Sequence, residues 1–197
     1  GRSHKPPGGV ALAARGVPYH HAMLYRETAL VRLLGLKIPM ILFTGPRVLA
    51  LDADGCDLEI PLTWRNRNRL IGAMYFGALC VGADLAGGLP AAKLILSRHP
   101  AMKLVFGDMR AEFLKRADGD VLFRNRDGRR VAEAVRQADE TGERITFPVE
   151  AVATVPRKYG DEPVARFTLS LSFRRKDASR LAAVAEPTST IIPNSNG

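Results

Sequence analysis

Residues 64–96 read WRNRNRLIGAMYFGALCVGADLAGGLPAAKLIL. Within this stretch, 73–86 is expected to form a helix that is apolar or small on every side, and a helix apolar all round is a buried one. Gly77, Ala78, Gly82, Ala83 and Ala86 permit close backbone approach, while Met74, Phe76, Leu79 and Leu85 supply bulk. The Gly87-Gly88-Leu89-Pro90 run is expected to break the helix, leaving a shorter helical piece over 91–97. Asp84 is the one charge between Arg69 and Lys93. An ionised carboxylate in a core is costly unless a partner compensates it, so Asp84 is the residue to explain. A bilayer span needs about 20 apolar residues. A central Asp costs an inserted helix about 2.5–3.5 kcal/mol. With the Gly-Pro break as well, a buried core helix is expected, and no membrane span.

The 197 residues are enough for one domain with a substantial core. The expected division is a flexible arm over 1–18, a single domain over 19–176 and a tail over 177–197. Hydrophobic content of 46% and charged content of 25% are ordinary for a globular chain. A net charge of +9 favours anionic partners without choosing among nucleic acid, acidic membrane and phosphorylated small molecules. Aromatics at 7% are too sparse for a base-stacking surface, and no nucleic-acid recognition motif accompanies the charge, so nucleic acid is not an expected partner. Cys56 and Cys80 fall in expected core positions, with no disulfide framework and no metal-ligand spacing. His20 and His21 are read as solvent-facing. The polar N-terminus shows no apolar signal region, and a reducing, cytoplasmic setting is the expectation.

Along the chain, a first helix is expected over 20–36, broken by Pro39 and Gly45-Pro46. Residues 47–53 and 56–63 read as a hairpin around Asp54-Gly55. Its second arm alternates, with Cys56, Leu58, Ile60, Leu62 and Trp64 on one face and Asp57, Glu59, Thr63 and Arg65 on the other. The period of two continues into Arg67 and Arg69. The three arginines therefore read either as a solvated strand face or as a phosphate-binding strip beside the core helix N-terminus, where backbone N–H groups favour anions. Asp52, Asp54, Asp57 and Glu59 are read as solvated. A long strand over 102–115, an Asp118-Gly119 turn and a return over 121–125 follow. Asp127 is an expected N-cap for a helix carrying Val131, Ala134, Val135 and Ala138 on one face. Two strands end the pattern, one with Ile145, Phe147, Val149, Ala151, Ala153 and Val155 inward, the other with Phe167, Leu169, Leu171 and Phe173 inward. Such strands imply an antiparallel sheet covered on one face. The economical way to bury a helix on nearly all sides is to curl that sheet around it, an α+β arrangement.

The chain over about 20–176 resembles the hotdog fold, in particular a branch related to the phenylacetate-type acyl-CoA thioesterases. The resemblance is densest in NRLIGAMYFGALCVGADLAGG and is echoed in AEFLKRADGDVLF and in GERITFPVEAVATV with PVARFTLSLSF. It implies a curled sheet around a long central helix, with an extra N-terminal helix, and acyl thioester hydrolysis in a cleft between two subunits. Related enzymes carry an Asn, then His-Gly-Gly at the helix start, then an acid on the helix. Matched on Asp84, Tyr75 stands at the His position and Phe76-Gly77 at the two glycines. Asn68 matches the Asn with one extra residue of spacing. The resemblance thus implies Asp84, Asn68 and Tyr75 as catalytic positions and Phe76 and Gly77 beside the substrate. Coenzyme A enters as part of the substrate, with no other cofactor.

The chemistry is coherent on its own terms. A thioester carbonyl needs an oxyanion donor, which N–H groups near Phe76-Gly77 can supply, and a carboxylate base or nucleophile, which Asp84 can supply with a pKa raised by burial. Asp84 lies about 10–12 Å along the helix axis from those donors. A site completed by a second chain is therefore expected, and a homodimer or a tetramer covers the free edge strand that such a sheet leaves. Two readings stand: an acyl-CoA thioesterase, and a non-catalytic hotdog protein that binds acyl-CoA or an acyl chain.

Overall fold

A computed structural model of the chain describes residues 23–176. The N-terminal arm, His20, His21 and the tail after residue 176 lie outside the described residues. In chain order the elements are α1 (Tyr25–Gly35), α2 (Pro39–Thr44), β1 (Arg47–Leu51), β2 (Cys56–Ile60), β3 (Arg67–Asn68), β4 (Ala73–Met74) and α3 (Phe76–Arg98). They continue with β5 (Met102–Phe113), β6 (Val121–Asn125), α4 (Gly128–Thr141), β7 (Ile145–Thr154), α5 (Pro156–Tyr159) and β8 (Pro163–Arg175). Six strands form one antiparallel sheet in the order β1-β2-β6-β7-β8-β5, and β3 pairs with β4 alone. The sheet curls around α3, the α+β arrangement that the residue pattern predicts and the hotdog fold that the resemblance implies.

The period of two places Val149, Ala151 and Ala153 of β7 and Phe167, Leu169, Leu171 and Phe173 of β8 in the core. These faces meet α3, which is long and apolar enough to cross a bilayer but is largely buried against the sheet. Glycines set the approach. A Cβ on Gly82 would stand 2.3 Å from two carbons of the fully buried Phe123 ring, and one on Gly88 would stand 2.9 Å from Phe106 Cζ. The helix is continuous, so the expected break at Gly87-Gly88-Leu89-Pro90 is corrected. Gly87, Gly88 and Pro90 are all buried inside α3. Their small or rigid shapes serve helix-to-sheet packing, and burial outweighs the hydrogen bond that Pro90 cannot donate. The start is also shifted. Ala73 and Met74 belong to β4, and the helix begins after Tyr75.

Three further readings change. Pro39, read as a break, sits in the first turn of α2, where its missing N–H has no cost. Asp57 and Glu59 are buried rather than solvated. Their strand lies between β1 and β6, and their carboxylates accept hydrogen bonds from Arg126 and from Arg47, the latter at 3.1 Å. The alternation of β2 also ends at Ile60. Asn66 folds residues 61–66 into a turn: its Oδ1 accepts from Thr63 N at 2.8 Å and its Nδ2 donates to the Pro61 carbonyl at 2.9 Å. Trp64, expected on the inward face, is consequently 74% exposed at the turn's outer corner.

Asp127 holds the N-cap position of α4, but its side chain does not cap it. Its oxygens accept instead from Arg130 Nη1 at 2.7 Å and from Glu150 N at 2.8 Å. The hairpin between β1 and β2 is closed by Asp52, whose Oδ1 accepts from Asp54 N and Gly55 N. Gly55 is required there because a Cβ would stand 2.0 Å from the Asn125 carbonyl oxygen.

Candidate functional site

The start of α3 is held from two sides. Tyr75 N donates to the Asn66 carbonyl at 2.8 Å, and Met74 N donates to the Ala117 carbonyl at 2.8 Å. Tyr75 is extended and its carbonyl accepts from Ala78 N and Leu79 N, so the helix begins there. The N–H groups of Phe76 and Gly77 then have no acceptor among the described residues. They carry the positive end of a 23-residue helix.

Beside them is a cavity of about 390 Å³ lined by Asn68, Ile71, Met74, Tyr75, Phe76 and Leu79 on one side and by 113–117 on the other. The Tyr75 and Phe76 rings lie with centroids 4.7 Å apart, and Phe76 meets Phe113 edge-on at 6.3 Å. The mouth is therefore aromatic. Asn68 is half-buried, and its Oδ1 accepts from Leu70 N at 3.0 Å within the turn that joins β3 to β4. Lys115 and Arg116 bring positive charge to the same mouth. Lys115 pairs with Glu162 at 2.7 Å, whereas Arg116 has no ion-pair partner among the described residues.

Asp84 stands two turns along the helix, about 12 Å from Phe76 at 1.5 Å per residue. It is half-buried on a stripe with Gly77, Cys80 and Val81, which the chain's own sheet leaves partly open. No hydrogen bond or ion pair reaches its carboxylate among the described residues, and burial pushes its pKa above the ordinary carboxylate value. Further along the stripe lie Gly88 and the Phe106 ring of β5, the edge strand opposite β1.

Of the residues singled out in the sequence, the fold brings Asn68, Tyr75 and Phe76 into one cavity. Gly77 is adjacent in the first helical turn. Asp84 does not line that cavity, and neither do Arg65, Arg67 and Arg69. These three are exposed on the segment leading to β4, with Arg67 in the two-residue β3 and none on a continuation of β2, and the Arg65 guanidinium lies 5.8 Å from the Phe43 ring centroid. Lys115, Arg116 and Asn66 were not singled out. The signal for the first two is the adjacent basic pair within FLKRAD. Nothing in the local pattern marked Asn66 apart from Asn68.

Residues 26–165 match the family model described as "Domain of unknown function (DUF4442)". A Pseudomonas aeruginosa protein described as a probable thioesterase is similar in structure, with 26% identity and a TM-score of 0.61, over 80% of this chain and 100% of that one. A protein from Chlorobaculum tepidum has 16% identity and a TM-score of 0.65, over 77% of this chain and 95% of its own. A Haemophilus influenzae thioesterase has 14% identity and a TM-score of 0.53, over 74% and 90%. No curated protein matches the chain. The chain belongs to the DUF4442 family, and its curled sheet around one long helix is the hotdog fold that family shares with structures of thioesterases.

Proposed function

We propose that this protein hydrolyses acyl-CoA thioesters as a homodimer, each site being completed by both chains. The observation that carries the proposal is the pairing, on one helix, of two first-turn N–H groups and a half-buried carboxylate about 12 Å further on, none of them with a partner among the described residues. In the proposed site, N–H groups of Phe76 and Gly77 from one chain hold the thioester oxygen, and Asp84 comes from the other. Asp84 takes a proton from water as the water oxygen bonds to the carbonyl carbon. The charge that develops on the carbonyl oxygen is met by the N–H groups. Collapse breaks the C–S bond, and the proton on Asp84 passes to the departing thiolate, giving a carboxylic acid and free coenzyme A. A raised pKa suits both halves of this cycle.

Several features support the reading. The cavity has room for part of an acyl chain, and Arg65, Arg67 and Arg69, with Arg116, offer positive charge for the phosphates of coenzyme A. The 12-residue β5 is a free sheet edge with exposed Val105, Phe106 and Met109, an arrangement that pairing with a second copy would cover. The similar proteins from P. aeruginosa and H. influenzae are described as a probable thioesterase and a thioesterase. The proposed setting is cytoplasmic and reducing, in keeping with free thiols at Cys56 and Cys80. No cofactor is invoked beyond the coenzyme A of the substrate.

A second reading, a binder of acyl-CoA or acyl chains without hydrolysis, is favoured by the adjoining, mutually tilted Tyr75 and Phe76 rings and by the engagement of Asn68 in its own turn. A series of acyl-CoA chain lengths, assayed for thiol release and for binding, separates the two. Asp84→Asn is expected to lower hydrolysis by about 10²-fold or more with binding retained, the usual scale for a general base. Hydrolysis retained in that variant removes Asp84 from the mechanism, and binding without thiol release by the wild type establishes the second reading. A monomer in light scattering would refute the shared site.

A further inference from the structure

α1 and α2 show an inverted exposure pattern. Thr28, Val31 and Gly35 of α1 and Ile41 and Thr44 of α2 face the body of the protein, where Val48 N donates to Thr28 Oγ1 at 2.9 Å. The outward face ought then to be polar. Instead Leu30, Leu33 and Leu36 are 65%, 60% and 68% exposed, and Met40, Leu42 and Phe43 of the neighbouring α2 are exposed as well. Single exposed leucines are ordinary, but a set of them on two consecutive helices that pack on each other marks an interaction surface.

Charge identifies the partner. Arg26, Leu30, Leu33 and Lys37 are spaced i, i+4, i+7 and i+11, which places an apolar centre between two cations along one line of α1 and the turn after it. Arg32 flanks them. All three cations are exposed, and the one acid of the segment 25–44, Glu27, lies 3.8 Å from Lys93 of α3. The uncompensated charge of this face is thus wholly positive, on a chain of net charge +9. A second copy seated here by two-fold symmetry would press like charges together. An anionic bilayer accepts both parts, since the leucines enter the interface while the basic side chains reach its headgroups.

We infer that the α1–α2 face docks the protein on the surface of an anionic phospholipid bilayer, as a peripheral contact that spans nothing. This goes beyond the proposed hydrolysis and does not rest on it, because the face shares no residue with the cavity at the start of α3.

The chain carries its own reporter. Trp64 is its single tryptophan, and the neighbouring Arg65 lies against Phe43 of α2. The full chain is mixed with vesicles of equimolar phosphatidylglycerol and phosphatidylcholine, or of phosphatidylcholine alone. Sedimentation with the anionic vesicles and a blue shift of the Trp64 emission are expected, both suppressed by high salt. Leu30→Ser/Leu33→Ser/Leu36→Ser should abolish both while melting as the wild type does, because these side chains are exposed. Arg26→Gln/Arg32→Gln/Lys37→Gln should weaken binding about 10²-fold, from three charges near an anionic surface. The inference is overturned if the wild type ignores anionic vesicles, if the leucine variant binds them equally, or if light scattering shows the leucine variant dissociating an oligomer that the wild type forms.

Discussion

The closest test of the packing that positions α3 is to add one methyl group at each of three glycines on that helix. Gly→Ala in a helix interior is worth about 1 kcal/mol in favour of folding where space allows. At Gly82 space does not allow it. The new Cβ would stand 2.3, 2.3 and 2.7 Å from three carbons of Phe123, against the roughly 3.5–4.0 Å of ordinary carbon contact. The ring must retreat by more than about 1 Å to restore that contact, yet Phe123 is fully buried, in an interior that packs closely. Overpacking of this kind costs about 1–3 kcal/mol. The severity of the clash places Gly82→Ala at the upper end, for a net loss of about 1–2 kcal/mol after the helical gain. For a domain of this size that lowers Tm by about 2–8 °C. Gly87→Ala meets nothing closer than Val149 Cγ2 at 3.3 Å, with Leu169 at ordinary contact distance, and Gly88→Ala meets Phe106, whose ring is exposed enough to swing aside. Both should lie near or above wild-type stability. Thermal and urea melts of the three variants, with the urea slope unchanged, give the comparison directly. Equal stability of Gly82→Ala and Gly87→Ala would refute the argument that this helix lies on Phe123.

Other outcomes follow from charge and burial. Asp84 has a raised folded pKa, so its contribution to stability is fully present below the unfolded carboxylate value and is lost as pH rises through the folded one; Asp84→Asn should raise Tm at neutral pH and not at acid pH. Asp118 shows the opposite sign, because hydrogen bonds from Lys158 and Tyr159 hold its pKa down. Its stabilisation is present above the unfolded value and lost as pH falls through the lower folded one, so Asp118→Asn should flatten the acid side of a stability profile measured by denaturant titration. The Cys56 thiol is pushed up to about 12, chiefly by burial, so thiol reagents should label it only after unfolding, which mass spectrometry of native and denatured protein checks.

The fold was legible because its signals are periodic. Alternation along β7 and β8 and apolar residues on every side of α3 each describe a surface that must be covered, and an antiparallel sheet curled on one helix covers both. What failed were inferences about ends and neighbours. Pro90 is a helix breaker in isolation, but inside α3 it is buried where tertiary contacts favour continuing the helix. Asp57 and Glu59 look like the wet face of a hairpin because their own strand says nothing of Arg126, which arrives 69 residues later.

The site divides the same way. Asp84 stands out because a charge interrupts an apolar helix, a local contrast that one sequence displays in full. The segment just past β5 contributes Lys115 and Arg116 to the cavity mouth only through the pairing of β5 with β8 and the bond from Met74 N to the Ala117 carbonyl, and neither is written in local pattern. The arginines at 65, 67 and 69 show the converse. Their alternation is plain, but Asn66 turns the chain beneath them, and a period of two carries meaning only while the backbone stays extended. A residue that ends a strand therefore matters as much to a site as the residues that line it. In this chain Asn66 does so twice, by closing the turn with its side chain and by accepting Tyr75 N with its carbonyl at the point where α3 begins.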